Sequence, residues 1–159
     1  MTKKLYGSKS AKINSIDGTT SYIFKDFNIP SNGYYVLVGY SYIESSTASS
    51  TISLRITKSS DWTTVSEVSA NNTNIGTWQK IFVKVNAADM TDGKLKVIAG
   101  KLYASGNLVA YIDGLMLLSI TQDQYNDPNY IPPDFINGTK STNSVRVKSV
   151  GKNLVPSFL

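Results

Sequence analysis

The chain of 159 residues has no cysteine and no histidine. Disulfide scaffolds, thiolate nucleophiles, zinc sites of the usual kind and every catalytic scheme that needs an imidazole are therefore excluded. Charged residues are sparse, at 17% against a usual quarter. No run approaches the roughly 20 apolar residues of a membrane-spanning helix, and Met1 is followed by Thr2-Lys3-Lys4 rather than by an apolar signal core. The sequence thus reads as a soluble chain with no membrane insertion. What is abundant is apolar and aromatic: 41% hydrophobic residues and ten tyrosines, enough for one domain with a real core and too much for disorder.

The formal net charge of +5 suggests nucleic acid only until it is placed along the chain. Lys3, Lys4, Lys9 and Lys12 stand in the first twelve residues, and Lys140, Arg146, Lys148 and Lys152 in the last twenty-five, with no acid in either stretch. Between them eight basic residues face eleven acidic ones. The middle is net acidic, so the basic stripe that phosphate binding requires is missing and no nucleic-acid partner is expected.

Short runs of β-branched and aromatic residues alternate between turn clusters, and no segment has a convincing helical period. Strands are expected over 10–16, 21–29, 34–43, 52–57, 80–85, 95–103 and 108–120, with Asp17-Gly18 and Asn32-Gly33 as turns. In the 34–43 strand both faces are apolar, with Tyr35, Leu37 and Ile43 on one and Val36, Val38, Tyr40 and Tyr42 on the other. The 52–57 and 80–85 runs alternate cleanly, so each should bury one face and wet the other. Seven or eight strands at this spacing fit an all-β antiparallel sandwich, best a jelly roll. The texture changes near residue 122, where Asn126-Asp127-Pro128 and Ile131-Pro132-Pro133 read as a connector. The expected organisation is a module at 1–122 and, at 123–159, a connector with a further strand over 144–150.

Three segments carry a family likeness: Gly33-Tyr34-Tyr35-Val36-Leu37-Val38-Gly39-Tyr40, then Gly76-Thr77-Trp78-Gln79-Lys80-Ile81, then Ala110-Tyr111-Ile112-Asp113-Gly114-Leu115. Their order and spacing resemble the jelly-roll modules typified by carbohydrate-binding modules, a galactose-binding-like architecture. The stretch 125–133, with Ser149-Val150-Gly151-Lys152-Asn153-Leu154-Val155-Pro156, resembles linkers between such modules in tail, baseplate and receptor-binding proteins of bacteriophages and prophages. The second stretch is similar to the opening of a next module.

The resemblance implies a structural calcium ion near the first strand, held by Asp113, although the acidic residues that would complete its shell are not evident. Read from the residues alone, Asp113 is a carboxylate inside an apolar strand, which must be compensated by backbone donors, a Lys or Arg, or a cation. Trp78 precedes an amphipathic strand and is expected to pack at the sandwich edge. A saccharide site would use exposed rings that stack on pyranose C–H faces, with a few polar groups for the hydroxyls. The candidate rings are Tyr40 and Tyr42, which match the open concave face of the family, with Trp62 and Tyr103. Arg55 and Gln79 are the candidate hydrogen-bonding groups. Tyrosine is equally at home in cross-strand packing, whereas Trp62 follows Ser59-Ser60-Asp61, the signature of a loop.

Only carboxylate chemistry remains for an enzyme, and most acidic residues fall in turns or in the connector. The expectation is therefore a non-enzyme. It is a module of a phage or prophage tail or baseplate protein, on the virion tail or otherwise extracellular. Its expected partners are a host cell-wall or surface saccharide and other domains and subunits of the tail. A purely architectural spacer and an accessory carbohydrate-binding module of a glycoside hydrolase are the rivals.

Overall fold

A computed structural model describes residues 3–6, 9–30, 32–90 and 93–135. The strands are β1 (Ala11–Ser15), β2 (Ser21–Asn28), β3 (Tyr34–Ser46), β4 (Ser53–Lys58), β5 (Thr64–Ser69), β6 (Trp78–Asn86), β7 (Lys94–Lys101) and β8 (Leu108–Ile120), followed by the short helix α1 (Gln122–Asn126). They form two antiparallel four-stranded sheets, sheet I in the order β1-β8-β3-β6 and sheet II in the order β2-β7-β4-β5. The all-β jelly-roll sandwich expected from the pattern is what forms.

The core lies between the sheets. Sheet I contributes Ile13, Leu37, Ile43, Ile81, Val83, Val85, Ile112 and Leu117, and sheet II contributes Phe27, Leu54, Ile56, Leu95, Val97 and Ala99. These are alternate residues of each strand, as a two-layer β architecture requires. One interruption matters: Gly114 has φ +58°, and the β3–β8 register slips between Val38 and Tyr40. Asp113 stands opposite Tyr40 on the outer face, whereas two residues later Leu115 touches the core. A bulge with a left-handed glycine reverses the alternation in this way. A Cβ at Gly114 would lie 2.9 Å from the Tyr40 ring.

The two apolar faces of β3 both find partners. Outward from sheet I, Val36, Val38, Tyr40, Met116, Leu118 and Ile120 form a second buried cluster against Tyr6, Tyr125, Tyr130 and Phe135. The covering strap is α1 with the residues that follow it to 135. Its helix starts with a capping box, in which the Thr121 side chain accepts from Gln124 N and the Gln124 side chain accepts from Thr121 N. Lys84 of β6 donates to the carbonyls of Gln124, Tyr125 and Asp127 at 3.2, 2.8 and 2.7 Å, a cation at the carbonyl end of the helix. Lys80 bonds the Pro132 carbonyl and lies 3.0 Å from Asp134. Residues 123–135, expected as the start of a connector, pack on the sandwich itself.

Neither β5 nor α1 has a counterpart in the sequence reading. β5 is Thr-Val-Ser-Glu-Val-Ser at the edge of sheet II, with too few apolar residues to register as alternation. At five residues, α1 is shorter than two helical turns and carries no measurable period. The expected strand at 144–150 and the start of a next module lie outside the described residues.

Candidate functional site

Among the described residues, no strap covers the outer face of sheet II. Along β2, Ile23 and Phe27 point to the core and Tyr22, Phe24 and Asp26 point outward. The register sets Phe24 beside Ile98, Ile98 beside Arg55, and Arg55 beside Glu67, one row across all four strands. The next row runs Asp26, Lys96, Thr57, Thr64 and the previous one Tyr22, Gly100, Ser53, Ser69. Gly100 sits where a Cβ would lie 2.3 Å from the Ser21 carbonyl, so the chain can pass this close to β2 only without a side chain.

Four rings stand open on this face: Tyr22 is 42% exposed, Phe24 53%, Trp62 44% and Tyr103 56%. Trp62 comes from the β4–β5 hairpin and leans over β7 onto β2. It meets Phe24 edge-on at 5.4 Å and Tyr22 at 6.5 Å between ring centroids, a favoured aromatic arrangement. Its backbone has φ +62°, a left-handed conformation costing a non-glycine residue about 1–2 kcal/mol. The hairpin is closed by Lys58 N to Thr63 O and Trp62 N to Lys58 O, and Asp61 accepts from Thr63 N. At the other side, Tyr103 stacks under the Arg55 guanidinium at 5.5 Å and donates to Glu67 at 3.0 Å.

Two ion pairs form on this face. Arg55 reaches Glu67 at 2.7 Å, both side chains about one-fifth exposed. Lys96 reaches Asp26 at 2.7 Å, and its ammonium lies 4.6 Å from the Phe24 ring centre and 4.4 Å from that of Trp62. That ammonium and the Ser59 hydroxyl, both bonding Asp26, hold its carboxyl below the ordinary value of 3.8. Asp26 and Glu67 are three strands apart, about 14 Å by strand spacing. That exceeds the roughly 5–9.5 Å between the two carboxylates of a glycosidase.

Of the residues expected at a site, Arg55, Trp62 and Tyr103 come together here, and Tyr40, Tyr42 and Gln79 do not. Tyr40 and Tyr42 share a face as the alternation implied, but it is the outer face of sheet I, and that face is not open. Tyr40 is 6% exposed, donates to Asp134 at 2.8 Å and meets Tyr6 edge-on at 5.1 Å. Burial above all, then its bonds to Tyr6 and Asp134, raises the Tyr40 phenol well above its ordinary value. Tyr42 is half-buried between Trp78 and Tyr111 under Lys3. Trp78 thus packs at the edge of sheet I, as expected. The Gln79 amide is engaged in the 71–74 turn, donating to the Asn71 and Asn74 carbonyls and accepting from Asn71 N.

Asp113 finds its compensation in the backbone: Oδ2 accepts from Leu5 N and Tyr6 N at 2.8 and 2.9 Å, and Oδ1 from Gly114 N at 2.7 Å. Such amide donors stabilise a carboxylate. No group of three or more acidic side chains that could hold a metal ion occurs among the described residues.

Sequence reasoning missed Tyr22, Phe24, Asp26, Glu67 and Lys96. A signal existed for three of them, because Tyr22, Phe24 and Asp26 occupy one face of an expected strand. The opposite face, with Ile23 and Phe27, is equally apolar, so alternation alone does not tell which side is wet.

No protein-family model and no curated protein matches the sequence. Among solved structures, a family 4 carbohydrate-binding module is similar at TM-score 0.57 and 15% identity, over 72% of this chain and 73% of that one. A family 16 carbohydrate-binding module is similar at 0.51 and 18%, over 70% and 77%. A family 61 module in complex with β-1,4-galactotriose is similar at 0.50 and 14%, over 72% of each. An arabinose-bound family GH51 α-L-arabinofuranosidase matches at 0.51 and 12% identity, over 77% of this chain but 21% of that one. The chain therefore has the jelly-roll fold found in carbohydrate-binding modules.

Proposed function

We propose that this chain is a non-catalytic carbohydrate-binding module whose ligand is a neutral glycan laid on the outer face of sheet II. The observation that carries this reading is the ring surface left uncovered among the described residues: Tyr22, Phe24 and Trp62 on one side and Tyr103 on the other, with Arg55 and Glu67 between. Aromatic faces offer pyranose C–H groups a flat apolar partner, and the flanking polar groups fix hydroxyls by donating and accepting. Both ion pairs are closed, so Arg55 and Lys96 are already neutralised by Glu67 and Asp26. Each pair still has atoms turned to solvent for a hydroxyl, which is donor and acceptor at once.

The saccharide belongs, on this reading, to a host cell surface, and the parent is a phage or prophage tail or baseplate protein. The resemblance of the 149–156 stretch to the opening of a next module supports that origin. The alternative parent is a glycoside hydrolase with this chain as accessory module, a reading favoured by the similarity to one-fifth of an arabinofuranosidase chain.

The test is retention of the protein on a panel of soluble polysaccharides, a glycan array and intact Gram-positive cell walls, with calcium and with chelator. Trp62→Ala and Tyr103→Ala are run beside it. Saturable binding weakened at least tenfold by either substitution is expected. Retention by plant polysaccharides alone favours the hydrolase parent, and by cell walls alone the tail parent. Loss only on chelation implicates a metal. No binding at high micromolar protein with the fold intact overturns the reading in favour of an architectural spacer.

A further inference from the structure

Lys96 is an anomaly of the open face. It points outward from β7 with Ile98 and Gly100, yet its side chain is 5% exposed. What covers it is aromatic, since its ammonium lies against both the Phe24 and the Trp62 ring, which themselves touch. Its charge is met by Asp26, directly opposite on β2, with Nζ 2.7 Å from Oδ1 and 2.9 Å from Oδ2. Asp26 in turn accepts from the Ser59 hydroxyl at 2.7 Å, and Ser59 belongs to the hairpin that carries Trp62. The Trp62 hairpin, rooted in β4 and β5, is thus fastened to β2 and β7 at two points, the ring on Lys96 and the turn on Asp26. A left-handed tryptophan persists only where its surroundings hold it.

We propose that Asp26 and Lys96 are positioning residues, a pedestal that holds Trp62 upright with one face free for the glycan. This rests on the carbohydrate reading above for its ligand but not for its geometry. An ion pair with one partner half-exposed adds little to stability. Its use here is to fix the ring before binding, so that little freedom is lost when a sugar stacks. A cation beneath an indole is held by the ring quadrupole, and the hold is stronger where water is excluded.

The experiment uses a Trp78→Phe background, in which Trp62 is the only tryptophan. Asp26→Asn and Lys96→Met are compared with it by acrylamide quenching of Trp62 fluorescence, by melting temperature, and by affinity for the best-retained polysaccharide of the panel. Asp26→Asn keeps the shape and removes the charge. The expected result is a folded protein with at least twofold greater quenching and a tenfold weaker affinity. In Trp62→Ala the Asp26→Asn change should then cost less than a further twofold, because both act through the same ring. Unchanged quenching in both variants overturns the pedestal. So does an Asp26→Asn loss that adds in full to that of Trp62→Ala, which would put Asp26 in direct contact with sugar. If the unaltered protein binds no polysaccharide, the carbohydrate reading fails while the quenching result still decides the pedestal.

Discussion

The outer faces of the two sheets start from similar chemistry and reach opposite ends. Each is an antiparallel surface carrying aromatic rings and lysines. On sheet I the rings lie under the strap, and Lys80 and Lys84 are turned onto its carbonyls. On sheet II the rings stay open, and the cations pair with carboxylates on the same face. The difference teaches that an aromatic strand face stays open where no described segment of the chain lies on it. Covering costs backbone order in the strap, and that cost is offset where the face beneath is continuous aliphatic surface such as Val36, Val38, Met116 and Leu118. Sheet II offers Arg55, Glu67, Asp26 and Thr57 in the same positions, and burying these would require new partners for each.

If the contrast is right, substitution on the covered face costs stability, and substitution on the open face costs binding. Tyr40→Ala removes a buried ring together with the Asp134 bond and should destabilise by about 3–5 kcal/mol, read by urea denaturation. Lys84→Met leaves three strap carbonyls without their donor and should cost about 1.5–3 kcal/mol. In hydrogen exchange the amides of 122–130 should lose protection first, while those of β2 and β7 keep theirs.

Trp62→Ala should change stability by less than about 1 kcal/mol, as for other exposed positions. Trp62→Gly should be more stable than Trp62→Ala by about 1 kcal/mol, because glycine is unstrained at φ +62°. An equal stability of the two would show that the hairpin relaxes when the ring is gone. The smallest effect is on acid lability. The Lys80 and Tyr40 bonds hold the Asp134 carboxyl below the ordinary value of 3.8. A lowered carboxylate contributes stability that is complete above 3.8 and lost as pH falls through the lowered value. Strap protection should therefore fade below about pH 4, and in Asp134→Asn it should be weaker at neutral pH and flat across that range.

Much of the fold was legible. The Asp17-Gly18 turn, the seven alternating runs and the two-faced apolar character of 34–43 all reappear, because period-two alternation is a direct imprint of a two-layer sheet. The site was less so. Arg55, Trp62 and Tyr103 could be singled out as an arginine on a clean alternation and aromatics in irregular settings, but their shared face depends on the order β2-β7-β4-β5. That order pairs segments some seventy residues apart, a separation over which local pattern is silent. Tyr40 was misread as open for the same reason. The alternation placed it correctly opposite Leu37, but whether that side faces water depends on where residues 122–135 come to rest.

The sequence by itself determined the class of the molecule: antiparallel strands, no imidazole or thiol chemistry, no basic stripe, and a strand with two apolar faces. These are properties of composition and near-neighbour spacing, which the chain carries in any conformation. Only the tertiary structure decided which aromatic face is sealed and which is open, and which acid meets which base. Asp26 with Lys96 and Asp113 with the amides of Leu5 and Tyr6 are contacts between strands or termini remote in sequence, and Arg55 meets Glu67 across the β4–β5 hairpin. Their partners exist only once the sheets have formed.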